Sequence, residues 1–209
     1  MIWSSENVND DEYQRALHKY REECIPHPLD FRPSLERLLD SHHCNEMAKI
    51  FNAHGRWEKM RAVATLGLSL PPKRGVYMFV WRPDLHFPFE SGSPERIPWI
   101  LYVGKAGRVA GDHDTIRHRY LHEYHAFVGG DVALLWNREP PRDREDRLKR
   151  YLCLRPLEYW FLLLDDPNDI YLLERKLIRM LAPPLNRQLA GPRLIPGRPK
   201  PAFEEPNEQ

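Results

Sequence analysis

Three proline doublets, Pro71-Pro72, Pro140-Pro141 and Pro183-Pro184, cut the chain into segments that no helix can cross. A proline ring fixes its own φ, removes a backbone donor and pushes the preceding residue out of the helical region. The local pattern changes at the first doublet. Before it, residues 10–24 (DDEYQRALHKYREEC) predict a helix whose first turn is acidic, the end at which a helix dipole favours negative charge. Residues 33–52 and 57–68 predict further short helical pieces. Residues 1–70 are therefore expected to form an all-helical extension.

After the doublet, Gly75-Val-Tyr-Met-Phe-Val-Trp81 has the β-branched and aromatic make-up of a strand. Residues 82–96 contain three prolines, a glycine and mixed charges, which predict a long loop or an extended hairpin arm. Residues 97–103 read as a second strand ending at Gly104, and residues 107–114 as a loop. Thr115 is placed to cap a helix running to about Phe127. A second helix is expected over 142–153, its charges mostly a solvated face. Residues 157–164 (LEYWFLLL) read as a buried strand. Asn168 is placed to cap a last helix through about Leu181, closed by the third doublet. Residues 190–209, rich in proline, glycine and charge, are expected to be a disordered tail. The order strand, strand, helix, helix, strand, helix predicts an α+β unit over 71–189: a small antiparallel three-stranded sheet flanked by helices.

Composition narrows the function classes. A chain of 209 residues suits one to two domains and buries enough surface to need no disulfide or zinc. No run approaches the ~18 apolar residues of a membrane span. The first residues, Met-Ile-Trp-Ser-Ser-Glu, lack the basic and apolar regions of a secretory signal. Cys24, Cys44 and Cys153 are too widely spaced for a disulfide framework, so a cytoplasmic protein is expected. Net charge is +1, but it is unevenly spread. Residues 1–40 hold 5 basic and 9 acidic residues, whereas 171–200 hold 7 basic residues and a single acid, Glu174. A basic C-terminal segment suits a polyanion. Arginine outnumbers lysine 23 to 8. Its planar fork grips phosphates and guanine edges with two donors, although a GC-rich coding sequence would produce the same bias.

Glu174 is the residue that helical periodicity singles out. Ile170, Glu174, Ile178 and Leu181 share one helical face. A carboxylate in an apolar stripe is costly if buried alone. Either it sits at the stripe's edge and reaches water, which periodicity alone favours, or a cation meets it. Two histidine groupings offer weaker signals. His42, His43, Cys44 and His54 lack the paired spacing of a zinc site. His118 and His122, at i and i+4, lack a third ligand and read as polar helix surface or the edge of an active site.

Taken in order, Gly75-Val76-Tyr77, Tyr102-Val103-Gly104-Lys105, Arg119 within Ile-Arg-His-Arg, Glu174 within Leu-Leu-Glu-Arg-Lys-Leu-Ile, and Asn186 twelve residues later resemble the GIY-YIG nuclease family over about residues 73–188. In size and layout the chain is closest to the restriction endonucleases of that family. The resemblance implies a Mg²⁺-dependent endonuclease, with Mn²⁺ as a substitute, that hydrolyses phosphodiester bonds of double-stranded DNA. Its implied role is restriction or another defence against foreign DNA. Glu174 would hold the metal, Arg119 would clamp the scissile phosphate, and Asn186 would orient its neighbours. Tyr77 would be the general base and Tyr102 a phosphate-side partner, or the reverse. A phenol has a pKa of ~10, so a tyrosine base needs nearby cations, for which Lys105 and Arg119 are the expected pair.

The pattern departs from the family in places. The insertions 82–96 and 107–114 stretch the spacing, which leaves Arg117 as an alternative to Arg119. At i+4 from the arginine, where several members carry His or Tyr, this chain has Glu123, and His122 is the expected substitute. Arg117, Arg187 and Arg193 are the expected DNA contacts. Base readout is expected from the additions, notably the arm 82–96. A single site cuts one strand, so double-strand cleavage requires a homodimer or two visits. The alternatives are a structure-selective repair or recombination nuclease, and a non-catalytic nucleic-acid-binding module on the same fold. A retired site should have lost a member of the tyrosine, arginine, glutamate and asparagine set, which argues against the last.

Overall fold

The computed structural model describes residues 15, 18, 19, 41–83, 98–107, 114–136 and 141–186. Its centre is a four-stranded antiparallel sheet made of β1 (Glu58–Arg61), β2 (Gly75–Trp81), β3 (Trp99–Ala106) and β4 (Leu157–Leu163), in the order β1-β4-β2-β3. The α-helices whose bounds fall among the described residues are α1 (Ser41–Ala53), α2 (Ile116–Arg119), α3 (Arg144–Tyr151) and α4 (Pro167–Leu181). Among the described residues no helix is long and apolar enough to cross a membrane.

The α+β class and the three strands read from the sequence are present, but the sheet has a fourth strand. It comes from 57–68, which was expected to be helical: Glu58–Arg61 pairs with β4, and Ala64–Leu68 forms a 3₁₀ turn. The residues expected as an all-helical extension thus supply part of the sheet. Charged Glu-Lys-Met-Arg is characteristic of a short edge strand, and only Met60 is half-buried, so no alternation advertises it. Within 10–24 and 33–52, the described residues 15, 18, 19 and 41–52 are helical, and the rest lie outside the described residues. So do most of the arm 82–96, most of the loop 107–114, and the tail 190–209.

Both faces of the sheet are covered, which is why β2 and β4 read as nearly continuous apolar runs. Strand alternation sends Tyr77, Phe79, Tyr159 and Phe161 to one face, where Tyr120, Tyr124, Leu148 and Leu152 complete the core. Val76, Met78, Val80, Trp160 and Leu162 go to the other, against Ile170, Leu173, Leu177 and Ile178 of α4. Each of these four α4 side chains is 1–2% exposed. Each contributes about 1.5–3 kcal/mol relative to an exposed position.

The caps explain where the helices start. Thr115 accepts from the His118 amide at 3.1 Å, as its position predicts. The helix then widens at once into a π segment, Tyr120–Tyr124, in which His125 N–H donates to the Tyr120 carbonyl at 2.9 Å. The cap of α4 is Asp166 rather than Asn168. Its carboxylate accepts from the Asn168 amide at 2.7 Å, and Pro167 takes the first helical turn, where its missing donor costs nothing. Asp143 caps α3 in the same way.

Candidate active site

One four-residue stretch of β3, Tyr102-Val103-Gly104-Lys105, is the hub to which Tyr77, Asn186 and Glu174 connect. β3 is an edge strand, so one of its sides has no strand partner among the described residues.

Gly104 faces Tyr77 across the sheet. A Cβ there would lie 2.5 Å from Tyr77 Cζ, so the phenol occupies the space that any other residue would fill. Gly75 is needed for a similar reason: a Cβ would lie 2.0 Å from the Leu162 carbonyl oxygen of β4. The glycines of both signatures are therefore close-approach positions.

Asn186 clamps Val103. Its Oδ1 accepts from Val103 N–H at 2.8 Å and its Nδ2 donates to the Val103 carbonyl at 2.7 Å. The carboxamide takes the place of a neighbouring strand. Ala182, at φ 43°, ends α4 in the left-handed region, and the Pro183-Pro184 turn carries the chain back to β3. There Leu185 N–H bonds the Leu101 carbonyl at 3.1 Å.

Lys105 pairs with Glu174. The Glu174 side chain is 12% exposed, so the carboxylate in the apolar stripe is met by a cation rather than by bulk water, contrary to what periodicity favoured. Lys105 also lies 4.7 Å from the ring centroid of Tyr171. The pair stands on the α4 face of the sheet, the face of Val103, whereas Tyr77 stands on the other. Lys105 is therefore not the cation beside the tyrosines. Among the described residues no hydrogen bond or ion pair links Lys105 or Glu174 to the tyrosine group. They meet only through β3, with Tyr102 and Lys105 about 10 Å apart along the strand.

On the tyrosine face, the Tyr77 and Tyr124 hydroxyls bond at 2.8 Å. Burial, with the neighbouring Tyr102 and Tyr159 phenols, pushes the Tyr77 hydroxyl well above its ordinary value. That is the opposite of the depression expected for a base. Tyr102 is half-buried, its ring 6.4 Å from that of Tyr77. Arg144, on the first turn of α3, donates to the Tyr102 hydroxyl at 3.2 Å, the Tyr124 hydroxyl at 3.0 Å and Glu123 Oε2 at 3.0 Å. Arg119 donates through Nε to Asp114 at 2.7 Å and through Nη1 to the other oxygen of Glu123. Burial raises the Glu123 carboxyl, but the bonds from Arg119 and Arg144 outweigh it and hold the group below the usual carboxylate range.

Of the two arginines, Arg119 joins this group, while Arg117 donates through Nε to the Leu70 carbonyl at 2.5 Å. His122 is exposed and packs on His118, with ring centroids 4.1 Å apart; Glu123 holds the position expected of it. Arg187 and Arg193 lie outside the described residues. Sequence reading missed Tyr124, Glu123 as a participant, and Arg144. The spacing Ile116, Tyr120, Tyr124 could have placed Tyr124 on the core face. Arg144 gives no local signal within the charge run Arg142-Asp143-Arg144-Glu145-Asp146.

No protein-family model, curated protein or solved structure matches the chain.

Proposed function

We propose that the chain is a Mg²⁺-dependent endonuclease of double-stranded DNA, cytoplasmic and of the restriction or defence type. The observation that carries this reading is the hub: Tyr77, Glu174 and Asn186, far apart in sequence, each engage one residue of Tyr102-Val103-Gly104-Lys105. A structural role for the glycines alone would not call for an ion-paired glutamate on one face of β3 and an arginine group on the other.

Within the reading, Tyr102 is the base. It is the phenol at the rim, beside the fixed positive charge of Arg144, whereas Tyr77 is buried and neutral. Tyr77 and Tyr124 hold the hydroxyl network from below. Arg119 stabilises negative charge on the phosphoryl oxygens. Asn186 fixes β3, and with it the positions of Tyr102 and Lys105. Among the described residues Glu174 belongs to no group of three His, Cys, Asp or Glu side chains. A lone hard carboxylate fits Mg²⁺, which keeps most of its waters and takes the rest of its ligands from substrate phosphate. The bound ion would supply charge stabilisation to the phosphodiester and its leaving oxygen. Lys105 would then share or yield the Glu174 carboxylate.

The test is digestion of unmodified plasmid by the purified chain with Mg²⁺, followed by mapping of the ends. Discrete fragments with 5′ phosphates are expected. Cleavage confined to flaps, junctions or single strands would move the reading to a repair-type nuclease, and no cleavage of any DNA would end it.

A further inference from the structure

Glu123 stands between two guanidiniums, with one carboxylate oxygen on Arg119 and the other on Arg144. An anion offering two oxygens to two cationic forks has the charge and shape of the non-bridging oxygens of a phosphodiester. We propose that Arg119 and Arg144 together form an oxyanion site, and that Glu123 fills it until phosphate oxygens displace its carboxylate. Only the identification of the oxyanion as a scissile phosphate rests on the nuclease reading.

The placement supports exchange rather than a permanent structural tie. The Arg144 side chain is 48% exposed and that of Glu123 25%, so a ligand can reach the bridge from solvent. Asp114 holds Arg119 through Nε, which leaves the Nη1 end free to change partners without losing the side chain's position. Arg144 has the Tyr102 and Tyr124 hydroxyls as further partners of the same Nη2 that meets Glu123, and these remain when Glu123 leaves. Both cations would therefore stay in place when Glu123 swings away. Arg144 also ties the oxyanion site to the candidate base, because one nitrogen serves both Glu123 and Tyr102.

Sulfate is the probe, titrated into the full ¹⁵N-labelled chain while arginine Nε–Hε resonances are followed by NMR. Wild-type binding should be weak. Glu123→Gln removes the competing charge and should tighten sulfate roughly tenfold, the loss of one charge-assisted contact. Adding Arg144→Ala or Arg119→Ala to Glu123→Gln should abolish the gain. Should Arg144→Ala fail to fold by circular dichroism, Arg144→Gln keeps a donor for the tyrosines, removes the charge and must abolish the gain equally. Glu145→Gln, with the same charge change one residue from Arg144, should leave sulfate binding unchanged. An unaltered affinity in Glu123→Gln, a gain that survives loss of either arginine, or an equal gain in Glu145→Gln would overturn the proposal. If sulfate binding follows the expected pattern but no DNA is cut, the oxyanion site stands and the nuclease reading fails. If DNA is cut while sulfate ignores Glu123 and Arg144, the nuclease reading stands and the two-cation site fails.

Discussion

At the scale of single residues, Arg117 and Arg119 show how two neighbours on one helix can take quite different partners. Arg117 spends its Nε on the Leu70 carbonyl, while Arg119 reaches the carboxylate group around Tyr102. Within the proposed reading Arg119→Ala should slow cleavage by ~10²-fold or more. Because it strands the Asp114 and Glu123 carboxylates, it should also cost about 1–3 kcal/mol of stability. Arg117→Ala should cost about 1 kcal/mol of stability and little rate. Steady-state kinetics and thermal melts on both variants check the division, and a reversed ranking would reassign the two. Glu174→Ala should abolish cleavage while duplex binding stays within a few-fold of wild type, measured by anisotropy. Gly104→Ala forces a methyl against the Tyr77 ring, which is hemmed in by Tyr102, Tyr124 and Tyr159. A loss of about 1–3 kcal/mol is expected from denaturant unfolding. Much of this candidate site was legible in the sequence because Tyr77, Tyr102, Lys105, Arg119, Glu174 and Asn186 each lie in a short stretch that stands out locally. Arg144 was not, because its role depends on where α3 lands and nothing in its own neighbourhood records that.

At the scale of elements, legibility follows the strength of periodic signal. β2 and β4, buried on both faces, were read to within a residue, because only strands of that kind concentrate Val, Phe, Tyr and Trp so densely. β1 escaped notice because its partner strand, not its own side chains, decides its conformation. The start of α4 was misassigned by two residues: Asn168 is a good capping residue, but Asp166 followed by Pro167 is a better combination. Asp166→Ala should cost about 1 kcal/mol, and Asn168→Ala only a few tenths, in urea unfolding. Equal costs would show that the observed cap bond contributes nothing. The π segment has no sequence signature either, since Tyr120 and Tyr124, at i and i+4, would share a face in an ordinary α-helix as well.

At the scale of the whole molecule, the tyrosine-rich core sets the response to pH. Tyr77, Tyr124 and Tyr159 have their hydroxyls raised well above the ordinary value, chiefly by burial. The unfolded chain ionises these three phenols near pH 10, whereas the folded chain keeps them neutral there. The stability that these groups contribute is thus fully present below about pH 10 and is lost as pH rises toward their folded values. Absorbance near 295 nm should show exposed tyrosines titrating first and the buried ones only together with loss of near-UV circular dichroism. A single smooth titration of all nine tyrosines with the fold intact would contradict this. The clamp between Asn186 and Val103 has a consequence of another kind. An unpaired strand rim invites other chains to add to it and grow into insoluble assemblies. Here the carboxamide of Asn186 stoppers that rim beside the proposed catalytic residues. A protein that lost Asn186 would thus risk its solubility together with its proposed activity, and light scattering of Asn186→Ala would register the first of these even in the absence of any DNA.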